Sequence, residues 1–319
     1  MLYRLLKIPA TIGFRLYCRH LKVNNKAAFD LNGPLIIACN HPNSFLDAII
    51  ISALFKKPVY SLARGDAFKR PFIAKILRSL KMLPVYRTSE GVENMEHNYS
   101  TFDACRQLFK KNGIVLIFSE GRCINEWHLR PLKKGTARLA LSSWEDGIDV
   151  KILPAGLNYH SFHSYDKDIH LLFGKIISKE DVDHNNGFGR SVLSFNNLLL
   201  QEMQQLVYEI APGDTKKLKD HFEVNVPAWK KVLLAIPAAA GALLHFPMHF
   251  TAAFFAKKYG SNNDHHDSIF IAVLFIFYPL YLILVTAIAF ALSGSWYALS
   301  LFIAMPFFAW CYLQVKQQF

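Results

Sequence analysis

The run Asn40-His41-Pro42-Asn43-Ser44-Phe45-Leu46-Asp47 sets an imidazole and a carboxylate at the end of the apolar segment Pro34-Leu35-Ile36-Ile37-Ala38-Cys39. An imidazole where a buried strand surfaces, with a carboxylate one loop later to hold its tautomer, is the minimum equipment for general-base activation of a hydroxyl. A purely structural reading also exists: His41 caps the strand end, and Asp47 sits in the first helical turn, where negative charge is favoured. The rest of the chain decides between them.

Four further patches place charge or glycine after apolar runs: Arg64-Gly65-Asp66, Pro84-Val85-Tyr86-Arg87, Phe118-Ser119-Glu120-Gly121-Arg122 and Lys133-Lys134-Gly135-Thr136. The planar fork of arginine grips a phosphate through two parallel hydrogen bonds, so Arg87 and Arg122 are the leading phosphate ligands, joined by Arg64. Glu120 would accept from substrate hydroxyls, and Gly121 permits a tight turn or close backbone approach. One such patch alone would read as surface ion pairs of little energetic value. Four of them after strands favour a site that holds a phosphorylated molecule.

These residues need a frame. From about residue 34 to 178, short apolar runs alternate with amphipathic ones, and 34–39, 58–63, 83–86, 114–118, 150–157 and 169–173 read as strands. The clearest helix runs over about 94–111, with Phe102, Cys105, Leu108 and Phe109 on one side and Asn112-Gly113 as a stop. Strands alternating with helices predict an α/β domain, a mixed sheet flanked by helices, over residues 29–211. A polar helix near 191–210 closes it, and 212–231 reads as a linker.

Both ends of the chain point to lipid. Residues 1–28 carry Arg4, Lys7, Arg15, Arg19, Lys22 and Lys26 among Leu2, Leu5, Leu6, Ile8, Ile12, Phe14, Leu16 and Tyr17, the composition of an amphipathic helix in the membrane interface. A signal peptide is disfavoured, because basic residues interrupt the apolar run. A core helix with a basic outer face is the plainer alternative. Residues 232–319 hold three apolar stretches, 232–256, 269–292 and 296–313, each near the roughly 20 residues that span a bilayer. The first contains Pro237 and Pro247 and is expected to be broken, either dipping in and returning or tightly kinked; the other two, joined by Ser293-Gly294-Ser295, form a helical hairpin. On that reading Lys230, Lys231, Lys257, Lys258 and Lys316 share one side. His245 and His249 have helical zinc-ligand spacing, but Pro247 lies between them and no third ligand follows, so no metal is expected.

Composition agrees. With 52% hydrophobic residues and a formal net charge of +12, the chain has a soluble and a membrane part and an anionic partner. The apolar segments make that partner phospholipid and not nucleic acid. Five scattered cysteines, Cys18, Cys39, Cys105, Cys123 and Cys311, imply neither a disulfide framework nor a zinc site, and the main domain is expected in a reducing compartment.

The chain resembles the glycerolipid acyltransferase family, the glycerol-3-phosphate and 1-acylglycerol-3-phosphate O-acyltransferases, over about residues 30–180. The family's histidine-to-aspartate block corresponds to His41 and Asp47, its second-block arginine to Arg87, and its Phe-Pro-Glu-Gly-Thr-Arg block to Phe118, Ser119, Glu120, Gly121 and Arg122. A proline-bearing strand matches Ile152-Leu153-Pro154-Ala155-Gly156. Two departures stand out. Five residues separate His41 from Asp47, where four are usual, and the third block has serine for proline and no threonine.

The resemblance implies an integral membrane enzyme of phospholipid biosynthesis, its catalytic domain facing the cytoplasm. Acyl-CoA or acyl carrier protein is the acyl donor and glycerol-3-phosphate or 1-acylglycerol-3-phosphate the acceptor. His41 is then the general base oriented by Asp47. No further cofactor is expected, and no acyl-enzyme is required, since a thioester is already electrophilic and no cysteine or serine has an evident paired base. Lys69, Arg70, Lys133 and Lys134 suit either anionic donor. Two other readings remain: O-acylation of another lysolipid, such as an acylated amino-acid lipid, and a non-catalytic lipid-binding membrane protein.

Overall fold

The segment before His41 is apolar at every position because it is the sheet's centre, buried on both faces. In the computed structural model, which describes residues 2–86, 96–183, 187–261 and 263–316 (backbone only for 96–98), one sheet holds β1 (Cys18–Val23), β2 (Leu35–Cys39), β3 (Val59–Arg64), β4 (Met82–Val85), β5 (Ile114–Phe118), β6 (Lys151–Tyr159) and β7 (Lys167–Phe173). Their order is β1-β7-β6-β2-β5-β3-β4. The five strands from β6 to β4 are parallel, β7 runs against β6, and β1 follows β7. The sheet is therefore mixed, as expected, and the five strands from β6 to β4 all end on the same edge.

Ten helices surround it among the described residues: α1 (Leu2–Tyr17), α2 (Ser44–Leu54), α3 (Pro71–Ser79), α4 (Glu96–Phe109), α5 (Gly135–Glu145), α6 (Phe188–Gln204), α7 (Thr215–Phe222), α8 (Ala228–Gly260), α9 (His266–Ser293) and α10 (Leu301–Val315). Strand alternation divides the core. Leu35, Ile37 and Cys39 face a layer with Phe14 of α1 and Leu46, Ile50 and Ile51 of α2. Ile36 and Ala38 face the layer with Cys105 of α4, Leu139 and Trp144 of α5 and Phe195 and Leu199 of α6. At the foot of α4, Asn112 adopts φ 55°, the left-handed stop that the Asn-Gly pair predicts.

Three expectations need correction. The basic N-terminal helix ends at Tyr17, and Cys18–Val23 joins the sheet as β1. Its charge hid it: Arg19 is buried and forked onto Asp168, with Asp166 at 3.4 Å, so the residue that looks solvent-bound is an internal ion-pair partner. The expected linker contains α7, whose Phe222 is buried against the rings of His170 and Tyr208. The first apolar stretch does not turn back; α8 is one 33-residue helix that continues through both prolines. Lys230 and Lys257 therefore lie about 40 Å apart along it, and the one-sided charge count lapses.

Helices α8 and α9, and α10 with the turn before it, are each long and apolar enough to cross a membrane. Gly294, at φ 64°, caps α9 and begins the expected hairpin. His245 hydrogen-bonds Gly241 O and Tyr278 Oη, each at 2.9 Å, and the described residues contain no group of three or more metal-ligating side chains. The apolar helices are not a loose appendage. Ala252 and Ala256 of α8 and Phe270 of α9 belong to the core layer of β2 and α2, and buried Asp267 of α9 pairs with buried Lys167 of β7. Helix α1 buries Tyr3, Phe14 and Tyr17 while exposing Leu5, Ile8 and Ile12 at 66%, 67% and 55%, so it carries an apolar stripe on each side. An outward apolar stripe suits a bilayer surface better than a purely basic outer face would.

Candidate active site

Strands β2, β5 and β6 lie side by side, and the residues just beyond their carboxyl ends meet. In an open α/β sheet this edge is where ligands bind. Asn40 ends β2 by acting as an extra strand residue: its amide donates to Leu157 O at 2.9 Å and accepts from Leu157 N–H at 2.8 Å. His41 is then released from the ladder. Its N–H donates to Glu120 Oε2 at 2.7 Å, its carbonyl accepts from Ile124 N–H at 3.3 Å, and its ring stacks on Phe118 with centroids 3.8 Å apart and planes 7° from parallel.

Across the five-residue gap, His41 Nδ1 is 2.8 Å from Asp47 Oδ2. Within the gap, Ser44, the first residue of α2, takes φ 52°. That left-handed turn shortens the path enough for the carboxylate to return under the ring. Asp47 is fully buried, and its carboxylate is well supplied: Oδ2 also accepts from Asn43 N–H at 2.9 Å, and Oδ1 accepts from Tyr159 Oη at 2.6 Å. Three donors and the amino end of α2 hold a charge that burial alone would penalise. With Nδ1–H given to Asp47, the other ring nitrogen, Nε2, keeps the lone pair that can take a proton.

Glu120 accepts backbone N–H groups on both oxygens, from His41 on Oε2 and from Arg130 at 2.9 Å on Oε1. It is 4% exposed, and burial raises its pKa even against those two bonds. The carboxylate thus ties the loop after β5 to the base of His41; a substrate hydroxyl would have to share oxygens already engaged. Gly121, at φ 68°, makes the turn that follows. Ser119, in place of the family's usual proline, is buried with its hydroxyl 3.0 Å from Thr136 Oγ1.

The basic residues are set differently. Arg122 is exposed at the mouth of this loop. Arg64 ends β3 and is exposed and forked onto Asp66. Tyr86 follows β4 next to it, and its ring fills the space where a Cβ on Gly65 would stand, so the glycine lets the two strand ends close up. Arg87 lies outside the described residues. His41, Asp47, Glu120 and Gly121 are brought together; Arg64 and Arg122 lie on the same sheet edge without touching them. An open cleft of about 620 Å³ lined by Asn32, Lys57, Tyr60 and Lys111 opens on the opposite edge, at the amino ends of β2, β3 and β5.

Sequence reasoning missed Tyr159, and it quoted Phe118 and Asn43 inside their motifs without giving either a role. Tyr159 left a faint signal, as the residue where an apolar strand ends in Asn158-Tyr159-His160. The stacking of Phe118 on His41 and the two bonds of Asn43 left none, since a ring at the end of an apolar strand and an asparagine in a loop are ordinary.

Fold and geometry together define an α/β domain with a histidine–aspartate pair at the carboxyl edge of its parallel strands, joined to helices apolar enough for a bilayer. Residues 20–158 match the family described as Acyltransferase. The matched segment takes in the strands and loops that carry His41, Asp47 and Glu120. Among solved structures the chain is similar to the crystal structure of the 1-acyl-sn-glycerophosphate (LPA) acyltransferase PlsC from Thermotoga maritima, at 14% identity and a TM-score of 0.45, covering 63% of this chain and 78% of that one. A search of the curated proteins finds no match.

Proposed function

We propose that the protein is an integral membrane O-acyltransferase of phospholipid biosynthesis, with its catalytic domain on the cytoplasmic side. It moves a fatty acyl group from acyl-CoA or acyl carrier protein to a hydroxyl of glycerol-3-phosphate or 1-acylglycerol-3-phosphate. The observation that carries this reading is the 2.8 Å contact between His41 Nδ1 and Asp47 Oδ2 inside an acyltransferase-family domain. His41 Nε2 removes the proton of the acceptor hydroxyl as its oxygen attacks the thioester carbonyl. The carbon–sulfur bond then breaks, and the departing thiolate takes the proton from the imidazolium, so the base is restored within one turnover. Asp47, held in place by Asn43 N–H and Tyr159 Oη, orients the ring and stabilises the imidazolium while the proton is held.

Direct transfer suits this site. Cys39 and Cys123 are near the loop, but burial pushes both thiols far from the thiolate form that would make them nucleophiles. Arg122, Arg64 and Arg87 would grip the acceptor phosphate, Arg64 by exchanging Asp66 for it. The three apolar helices and the outward stripe of α1 would hold this edge beside the lipid phase, where acyl chains partition.

The test is turnover by purified protein in lipid nanodiscs, with acyl-CoA and acyl carrier protein as donors. Acceptors are glycerol-3-phosphate, lysophosphatidate and a phosphate-free lysolipid. Transfer to a phosphorylated acceptor is expected, and His41→Ala should lower kcat by about 100- to 10,000-fold with fold and membrane insertion intact. Near-normal turnover of that variant removes the base assignment, and preference for the phosphate-free acceptor moves the substrate to another lysolipid.

A further inference from the structure

Besides Tyr159, a piece of chain far outside the family-matched segment reaches into the catalytic loop: the turn between the apolar helices α8 and α9. Asn43 Nδ2 donates to Asp267 Oδ2 at 2.8 Å, Ser44 Oγ lies 2.6 Å from His265 Nδ1, and Asn125 N–H donates to Asp264 Oδ1 at 2.9 Å. Asn125 in turn donates from Nδ2 to Pro42 O at 2.6 Å. Every residue between His41 and Phe45 is therefore held, directly or through Asn125, by this turn.

Asn43 is the critical link. It is fully buried, its side chain is bonded to α9, and its backbone N–H donates to Asp47 Oδ2, the oxygen that also receives His41 Nδ1. Among the described residues Asn43 Oδ1 finds no partner, so the amide is held through its donor side alone. Asp267 is itself fixed: it is 2% exposed and paired with buried Lys167, whose Nζ also donates to Ser161 O at 2.7 Å. The loop needs such a hold, because Ser44 sits at φ 52°, a left-handed conformation that a non-glycine residue leaves unless its surroundings enforce it. Its N–H is taken by Cys123 Sγ at 2.9 Å and its hydroxyl by His265.

We infer that Asp267 is a positioning residue of the active site: through Asn43 it sets the carboxylate of Asp47 against His41, so the turn between two membrane helices completes the catalytic loop. The inference rests on the proposed role of His41 as base. It also explains how a loop one residue longer than the family's usual spacing keeps its histidine and aspartate in register.

The experiment uses the full chain in nanodiscs. Asn43→Ala removes the link and leaves the Asp267–Lys167 pair intact. Its kcat is expected to fall about 10- to 100-fold with both KM values unchanged, the cost of a small misplacement of a catalytic group. The acid limb of its kcat–pH profile should move to lower pH, since a loosened Asp47 stabilises the imidazolium less. Asp267→Leu with Lys167→Met, which leaves no buried unpaired charge, should give the same loss. Adding Asn43→Ala to that pair should cost nothing more, as expected for one shared interaction. Asp267→Asn with Lys167→Met keeps an acceptor for Asn43 and should restore kcat to within about threefold of the parent. A parent-like kcat and pH limb in Asn43→Ala, or fully additive losses, overturns the inference. His41→Ala separates the two claims: if it abolishes transfer while Asn43→Ala does nothing, the positioning role alone falls; if it leaves transfer intact, the base assignment falls first.

Discussion

The carboxyl edge of the sheet has two unlike halves. At its centre, beyond β2, β5 and β6, the polar groups of Asn40, His41, Asp47, Glu120 and Tyr159 are bonded to one another or to backbone. Around it, Arg64 at the end of β3 and Arg122 in the loop after β5 stand in water, one with an exposed ion-pair partner. The difference separates two tasks. A group that must move a proton gains from being aimed beforehand, because reorganisation during the reaction is costly. A group that must capture a charged ligand gains from being free to exchange water or a weak partner for it.

The largest effect should come from the centre. Asp47→Asn keeps the shape but turns an amide toward one of three donors and upsets the histidine tautomer, so kcat should drop about 1,000- to 10,000-fold with KM little changed. A variant within tenfold of the parent would mean that the centre is not preorganised by this carboxylate.

Burial at the centre also has a cost in acid. His160, one residue beyond the Tyr159 that serves Asp47, and His170 on β7 are both pushed down to about 4, first by burial. Unfolded they titrate near 6.5, so their contribution is complete above about pH 6.5 and is lost as pH falls toward 4. The loss should reach about 3 kcal/mol per histidine, read as a fall of the unfolding midpoint between pH 7 and 4.5. A flat profile would contradict their burial in the neutral form.

Glu120→Gln sharpens the comparison further. One of its two backbone donors would face an amide NH₂, which should cost about 1–3 kcal/mol of stability and lower kcat through the displaced His41 backbone. Thermal unfolding and turnover read the two effects together; loss of acceptor affinity alone would return Glu120 to substrate binding.

The smallest effects belong to the outer half. Arg122→Ala should raise KM for a phosphorylated acceptor about tenfold with kcat nearly kept, and Arg64→Ala, already paired with Asp66, only a few-fold. A kcat collapse in either variant would erase the division between the halves.

Much of this was legible. The strands that carry the site are continuous apolar runs, the signature of a doubly covered parallel sheet, and the His41 and Glu120 blocks fall where those runs end. What stayed hidden depended on pairing between distant residues. Arg19 read as surface charge because Asp166 and Asp168 lie almost 150 residues away, and α8 read as broken because local proline rules ignore the neighbours that keep a helix going. The role of Asp264-His265-His266-Asp267 was invisible for the same reason: a polar turn between apolar stretches looks like any other.

Tyr159 carries one more lesson. The segment recognisable by descent ends at residue 158, yet the hydroxyl on the second oxygen of Asp47 belongs to residue 159, and the acceptor that grips Asn43 to residue 267. The unit of ancestry and the unit of chemistry thus have different borders. A fragment trimmed to the recognisable part would keep every residue of the histidine–aspartate motif and lose the groups that hold it in shape.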